Sequence, residues 1–157
     1  FLEHKKLYRK PDLKMEVPLG LYEVEIGKAN IVKEGSDVTL VAWSGMVPTA
    51  LEAASTLNDE GISVEVLDLR SIFPIDEETV LKSVEKTSNL VILQEDVPFS
   101  SIASEISSFV ADKGFWTLDN PIVKVTAPNT HIPFAPVLED NFIPSAENVV
   151  KAIKELQ

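Results

Sequence analysis

The sequence predicts an α/β fold: a doubly wound, mainly parallel sheet of about five strands with one antiparallel edge strand. The main observation is that short apolar, β-branched runs alternate with segments whose apolar residues recur at helical spacing. The chain has 157 residues, about the length of one domain, and 45% of them are hydrophobic. Such a chain can bury one core, and strands that alternate with helices pair in parallel through right-handed crossovers.

The strands and helices follow one another along residues 28–157. Strands are predicted over 29–32, 37–43, 64–67, 90–93 and 122–125. Helices are predicted from Pro48 to Gly61, from an N-cap at Asp76 through Val84, over 102–110 and over 145–156. A hairpin-length turn joins the first two strands, which predicts that the first is antiparallel and lies at an edge. Four prolines predict that residues 128–144 form an irregular arm.

Residues 1–27 differ from the rest of the chain. Pro11 and Pro18 interrupt any long helix, because proline lacks a backbone N–H and restricts the residue before it. These residues are therefore predicted to form a linker or extended arm before an α/β domain over 28–157. The chain starts at Phe1 with neither an initiator Met nor a signal-like apolar stretch, so we interpret it as an excerpt of a longer protein.

Charge and residue types exclude several functions. The formal net charge of -11 repels phosphate backbones and anionic lipid headgroups, so nucleic acid and membrane partners are not expected. The chain has no cysteine, which excludes disulfides, thiolate catalysis and cysteine-ligated metals. Its two histidines, His4 and His131, are too few for a histidine-rich metal site.

The turns after the strands, where doubly wound folds bind ligands, offer few catalytic groups. The six glycines fit neither a dinucleotide fingerprint nor a P-loop, and no Gly-x-Ser-x-Gly elbow exists. Ser44-Gly45 could hold a phosphate on backbone N–H groups, although any strand-to-helix turn favours small residues. Glu95-Asp96 follows a buried strand and could perform acid–base chemistry, but acids at strand ends are also ordinary loop residues. His131 is most simply a surface or packing residue.

The densest polar cluster at a strand end consists of Asp68, Arg70 and Asp76. A planar guanidinium matches carboxylates bidentately, so we expect Arg70 to pair with one or both acids and to lock the strand-to-helix connection. Alternatively, the cluster presents a charged surface to another domain.

Several long motifs, in order, resemble those of one family. They are Phe1-Leu2-Glu3-His4-Lys5-Lys6-Leu7-Tyr8-Arg9, the strand from Glu34 to Trp43, Asp68-Leu69-Arg70 with Pro74 and Asp76, Ser83-Val84 with Lys86-Thr87, and Glu95 with Ala103-Ser104-Glu105-Ile106. In this order they are similar to the carboxyl-terminal transketolase-like domain of the E1 β subunit of 2-oxo acid dehydrogenase complexes. The resemblance implies that residues 1–27 are the linker from a missing pyrimidine-binding domain.

The resemblance also implies a function for the complete enzyme. In this family E1 is an α2β2 oxidoreductase component that uses thiamine diphosphate and Mg²⁺ to decarboxylate a 2-oxo acid, and it transfers the acyl group to the lipoyl group of E2. The family's catalytic histidine and its glutamate that contacts the pyrimidine lie outside the part that this chain resembles. We therefore expect this chain alone to be inactive, with no catalytic, cofactor-binding or metal-binding residue of its own.

Substrate class and compartment stay open within this resemblance. Residues 103–108 are similar to the branched-chain type, whereas 127–130 and 133–135 are more similar to the pyruvate type. The location implied is cytoplasmic in a prokaryote and the mitochondrial matrix in a eukaryote. A transketolase or deoxyxylulose phosphate synthase tail shares the predicted fold, and a free-standing flavodoxin-like regulatory module is the alternative outside the family. The family's glycine-rich turn is replaced here by residues 96–102, which puts any partner contact at that turn in doubt.

The implied partners are the E1 α subunit, a second β subunit and the subunit-binding domain of E2. Acidic residues near irregular segments are candidates for one such interface, together with the terminal carboxylate: Asp119, Glu139, Asp140 and Gln157. An acidic surface attracts a cationic partner over long range. The alternative is a solvated acidic face that only keeps the protein soluble.

Overall fold

The structure, a computed structural model, describes residues 1–10, 13 and 16–156. The strands are β1 (Asn30–Lys33), β2 (Val38–Ala42), β3 (Val64–Asp68), β4 (Leu90–Leu93) and β5 (Val123–Val125). The helices are α1 (Met46–Asp59), α2 (Glu77–Thr87), α3 (Ile102–Lys113), α4 (Pro136–Phe142) and α5 (Ala146–Lys154), and 3-10 helices span Lys5–Arg9 and Phe115–Thr117. In this part of the chain no helix is long and apolar enough to cross a bilayer.

The five strands form one sheet in the order β1-β3-β2-β4-β5. β1 pairs with β3 antiparallel, and every other pair is parallel, which confirms the predicted fold and the antiparallel edge strand. The short turn after β1 does not form a hairpin with β2, since β1 lies beside β3 instead. From β2 the chain moves to β3 on one side and then crosses to β4 on the other. The carboxyl ends of β2 and β4 therefore form the topological switch point, where folds of this class bind ligands.

A hydrophobic core lies on each face of the sheet. On one face β2 contributes Val38, Leu40 and Ala42, which pack with buried residues of α1 and α5. On the other face Val41 packs with α2 and α3. Every residue of β2 is buried, as expected for a central parallel strand covered on both sides.

Three of the helices begin at an N-cap residue whose side chain accepts a backbone N–H. The Asp76 carboxylate accepts the N–H of Thr79, as predicted, and the Ser101 hydroxyl accepts the N–H of Ser104. At α5 the Ser145 and Asn148 side chains and backbones bond reciprocally as a capping box.

Two segments differ from the sequence prediction. The arm predicted as irregular over 128–144 contains α4, because Pro136 lies in the first helical turn, where the missing N–H has no intrahelical partner to lose. The linker predicted over 1–27 contains the 3-10 helix Lys5–Arg9. The parts of that linker at residues 11, 12, 14 and 15 lie outside the described residues.

Candidate functional site

The topological switch point is occupied by the chain's own amino-terminal segment. The imidazole of His4 lies against the turn after β2, since a Cβ on Gly45 would lie 3.0 Å from its Nε2 atom. The same Nε2 lies 3.4 Å from Oε2 of Glu95, which follows β4. We call His4, Gly45 and Glu95 the switch-point cluster. Its contacts hold the segment before the domain against the position where folds of this class bind ligands.

A second contact holds this segment in place. Nζ of Lys6 donates to Oε1 of Glu139 at 3.1 Å and connects the 3-10 helix to α4. Between them lies a cavity of about 230 Å³ that also borders Thr49 and Asp140. Residues 4–9 therefore contact the domain through His4 and Lys6, while most of their side chains remain exposed.

The Ser44-Gly45 turn has little capacity left for a phosphate. The N–H groups of Met46 and Val47 already donate to the carbonyls of Trp43 and Ser44, at 3.1 and 3.3 Å. The His4 ring covers Gly45 itself. These contacts favour the interpretation that the turn joins β2 to α1 and does not bind a phosphate.

Glu95 and Asp96 have separate structural partners instead of acting as a carboxylate pair. Oδ1 of Asp96 accepts the N–H of Val97 at 2.7 Å, while Glu95 faces His4. The preceding Gln94 is buried, and its amide bonds the Val97 carbonyl and the N–H of Ala103. Gln94 thus fixes the loop between β4 and α3, a role that the sequence prediction missed.

The predicted pairing of the Arg70 guanidinium is wrong. Arg70 instead donates its backbone N–H to Oδ1 of Asp68 at 3.0 Å, and among the described residues its side chain forms no ion pair with Asp68 or Asp76. Arg70 has a positive φ of 55°, and this turn brings its backbone to Asp68. Burial raises the pKa of Asp68, and the N–H and charge of Arg70 oppose that rise.

Asp76 connects the residues just before β1 to α2. Its carboxylate accepts the backbone N–H of Ala29 at 3.0 Å, the hydroxyl of Thr79 at 2.8 Å and the Thr79 N–H at 3.2 Å. Nζ of Lys28 lies 4.0 Å away. Burial opposes the charge of Asp76, but these bonds outweigh burial and lower its pKa below the ordinary value for aspartate.

A buried polar network lies near the amino edge of the sheet, and the sequence prediction missed it. Glu65, in β3, accepts the hydroxyl of Ser83 at 2.6 Å and is paired with Lys86. The hydroxyl of Thr39 lies 2.7 Å from those of both Ser83 and Thr87. Burial opposes ionisation of Glu65, but the bonds from Lys86 and Ser83 lower its pKa overall. The only signal in the sequence was a glutamate within an apolar strand.

The structure separates Asp119 from two other predicted interface residues, Glu139 and Asp140. Asp119 lies at the amino edge, where its N–H donates to the Ser88 carbonyl just before β4. Glu139 and Asp140 belong to α4 and lie near the switch-point cluster, at the carboxyl edge. Gln157 lies outside the described residues. A single interface that includes both Asp119 and the acids of α4 would therefore have to reach from the amino edge to the carboxyl edge of the sheet.

The carboxyl edge of the sheet exposes large apolar side chains. They lie in the loops after β3, β4 and β5 and on α4: Phe73, Phe99, Ile132, Phe134, Val137 and Leu138. Phe73 is 94% exposed and Phe134 102% exposed. We call these six residues the apolar carboxyl edge. Several exposed large apolar residues at one edge of a sheet are typical of interaction surfaces.

Among the described residues, the switch point offers few groups for a diphosphate or a metal ion. Within the described part of the chain, no group of three or more His, Asp or Glu side chains is placed to hold a metal ion. At the switch point the N–H groups of Met46 and Val47 are bonded within the turn. His131 is exposed in the loop after β5 and does not change this conclusion.

Residues 27–149 match the family model described as transketolase, C-terminal domain. The chain is 49% identical over 156 residues to the acetoin:2,6-dichlorophenolindophenol oxidoreductase subunit beta of Bacillus subtilis (strain 168), covering 99% of this chain and 45% of that protein. It is 39% identical over 154 residues to the pyruvate dehydrogenase E1 component subunit beta of Staphylococcus epidermidis, covering 98% and 46% respectively. The chain thus spans slightly less than half the length of these curated relatives.

A solved structure is also similar. A split-gene transketolase, described as an inactive beta4 tetramer, superimposes with a TM-score of 0.76 at 31% identity. The superposition covers 86% of this chain and 44% of that one.

Proposed function

The chain belongs to the transketolase C-terminal domain family, and we propose that it is the assembly domain of the β subunit of a thiamine diphosphate-dependent E1 oxidoreductase. The observation that carries this proposal is the apolar carboxyl edge. Six large apolar side chains at one edge of a chain with a net charge of -11 indicate a surface that another protein covers. The names of the curated relatives support the rest, since both are β subunits of oxidoreductases.

In the proposed enzyme the cofactor chemistry takes place outside this chain. Thiamine diphosphate supplies a carbanion-stabilising ylid when bound, and this chain contributes a rigid sheet and the surfaces at its two edges. The segment 4–9, held by His4 and Lys6, fixes the direction in which the preceding part of the subunit joins the domain.

The substrate of the complete enzyme is pyruvate, a branched-chain 2-oxo acid or acetoin. We add acetoin to the two substrate classes expected from the sequence, because the relative at 49% identity is named for acetoin. The relative named for pyruvate is 39% identical. All three substrates should therefore be assayed.

The proposed partners are an α subunit, a second β subunit and the subunit-binding domain of E2. The split-gene transketolase neighbour, whose β chains form a tetramer, supports contacts between β subunits. Asp119 remains the proposed contact for E2. Its exposed carboxylate lies away from the apolar carboxyl edge, so both surfaces can be occupied at once.

The test is assembly of the complete β subunit with its α subunit, followed by analytical ultracentrifugation and by activity with the three substrates. Phe134→Ser and Val137→Ser should weaken assembly about tenfold or more, because buried aromatic and aliphatic anchors dominate interface energies. Phe115→Ser is the matched control, because Phe115 is also exposed but follows α3 at the amino edge. Unchanged assembly in both test variants, or inactivity of the wild-type complex on all three substrates, would contradict the proposal.

A further inference from the structure

We propose that residues 16–26, which we call the strap, close over the apolar carboxyl edge of the same chain until a partner subunit displaces them. In the structure the strap is open, and its large apolar side chains are between 56% and 108% exposed: Val17, Leu19, Leu21, Tyr22, Val24 and Ile26. The inference adds a regulatory step to the assembly surface proposed above, and to that extent it rests on the proposed function.

The chain is attached to the carboxyl edge on both sides of the strap. After the strap, Gly27 donates its N–H to the Ser71 hydroxyl at 2.8 Å, and a Cβ on Gly27 would lie 2.9 Å from Cγ of Pro74. Before the strap, Lys6 donates to Glu139 of α4 at 3.1 Å. The first attachment adjoins the loop after β3 and the second adjoins α4, and both of these elements carry exposed residues of the apolar carboxyl edge.

The strap is long enough to reach across this edge. An extended chain spans about 3.3 to 3.6 Å per residue, so residues 22–26 can reach about 16 to 18 Å from Gly27. The carboxyl ends of β3 and β5 are three strand spacings apart in the sheet, about 14 Å at about 4.8 Å for each spacing. The side chains of the strap can therefore reach the exposed residues from Phe73, after β3, to Phe134, after β5.

The strap has the residue pattern of a segment that covers an apolar surface. Tyr22, Val24 and Ile26 alternate with Glu23 and Glu25, so an extended strap has an apolar face and an acidic face. Burial of apolar side chains from both surfaces favours closure. The two attachments already restrict the strap, which reduces the conformational entropy that closure loses.

Charge favours the same closed position. The strap contains Glu16, Glu23 and Glu25 and no lysine or arginine. Arg70 is exposed in the loop after β3, and within the described residues neither Arg70 nor the acids of the strap take part in an ion pair. A closed strap brings its acidic residues toward this guanidinium, which is attracted to carboxylates.

A second copy of this chain is the alternative cover for both surfaces, but two observations favour the chain's own strap. The attachments hold the strap near the edge at an effective concentration of about millimolar, well above the concentration of a dilute protein. Two chains that each carry a net charge of -11 also repel one another. A subunit that covers the apolar carboxyl edge must then displace the strap, so its apparent affinity is reduced by the fraction of chains that are open.

The first test is disulfide formation in the 157-residue chain, which contains no cysteine of its own. The test pair is Leu21→Cys with Ile132→Cys, which joins the strap to the loop after β5. The control pair is Leu21→Cys with Trp116→Cys, because Trp116 is also exposed but lies at the amino edge. A disulfide requires the two Cα atoms to come within about 7 Å, so its formation reports closure.

We expect an intramolecular disulfide to form at least about tenfold faster in the test pair than in the control pair, as measured by mass spectrometry of samples taken during mild oxidation. Arg70→Glu should slow the test pair about threefold, because it repels the acids of the strap. Lys151→Glu makes the same charge reversal on the exposed face of α5 and should have a smaller effect. Equal rates in the two pairs, or covalent dimers in place of the intramolecular disulfide, would overturn the inference.

The second test is assembly of the complete β subunit with its α subunit. Val24→Ser should strengthen assembly about threefold, because a strap that packs less well competes less with the α subunit. Phe115→Ser, at the amino edge, is the control and should leave assembly unchanged. Weaker or unchanged assembly with Val24→Ser would overturn the inference, since the strap would then belong to the interface or have no effect on it.

The oxidation experiment contains neither an α subunit nor a substrate. It therefore decides whether the strap closes even if the complete subunit fails to assemble, and failure of this inference is distinguishable from failure of the proposed function.

Discussion

Replacing Asp76 should destabilise the domain more than replacing any exposed acid does, because its carboxylate bonds both α2 and Ala29, the residue before β1. Asp76→Ala removes the N-cap of α2, which costs about 1 kcal/mol. It also leaves the half-buried N–H of Ala29 without its acceptor, which costs about 1 to 2 kcal/mol more. We therefore expect the free energy of unfolding to fall by about 2 to 3 kcal/mol, a large part of the 5 to 15 kcal/mol typical of a domain.

The assay is urea unfolding monitored by circular dichroism at pH 7, with two companion variants. Asp76→Asn retains a capping oxygen but loses the charge, so it should cost about 1 kcal/mol. Glu78→Gln changes an exposed acid in the same helical turn and should cost about 0.5 kcal/mol or less. A loss below about 1 kcal/mol for Asp76→Ala, or one no larger than that of Glu78→Gln, would refute the reasoning.

The pH dependence gives a second check on Asp76. Its pKa is lower in the folded than in the unfolded chain, so the carboxylate stabilises the fold at neutral pH. This contribution disappears as the pH falls from about 4, the unfolded value, through the folded-state pKa. The stability difference between wild type and Asp76→Asn should therefore shrink over that range, and a constant difference would contradict the assignment.

Three further substitutions test other contacts. Gly45→Val should push the His4 ring away and speed tryptic cleavage within residues 1–10 at least about fivefold, with His4→Ala giving a similar increase; unchanged cleavage would mean that this contact does not hold the segment. Glu65→Gln should lower the free energy of unfolding by about 2 kcal/mol, because it removes the charge that faces Lys86 in a buried network; urea unfolding measures this, and Glu52→Gln is the control. Arg70→Ala should cost about 0.5 kcal/mol or less in the same assay, since its guanidinium pairs with neither neighbouring acid; a loss of several kcal/mol would restore the pairing that the sequence predicted.

The local pattern of the sequence was sufficient to predict the five strands and four of the five α-helices. Buried parallel strands such as β2 are continuous apolar runs, and their periodicity needs no tertiary information. The helix α4 was missed because four prolines within 128–144 suggested irregular structure, whereas Pro136 occupies the first turn, where proline is tolerated.

The site was less predictable because its contacts join distant parts of the chain. The sequence pointed correctly to the turns after β2 and β4, but nothing local shows that His4 reaches Gly45, 41 positions later in the chain. The bond between Asp68 and the backbone of Arg70 depends on a positive φ that residue type alone does not reveal. The partners of Glu65 lie on a helix 18 and 21 positions away, beyond the reach of any local pattern.

The two outermost strands of the sheet, β1 and β5, restrict how copies of this domain can associate. β1 departs from regular pairing with β3 between Ile31 and Lys33, and an irregular edge strand is a poor template for an added strand. β5 has three residues, and Lys124 at its centre is exposed. Short, lysine-bearing edges oppose pairing with strands from other molecules. Subunits that contain this domain should therefore join through side chains on loops and helices, and each should retain a separate sheet instead of merging into the continuous cross-β stacks of aggregates.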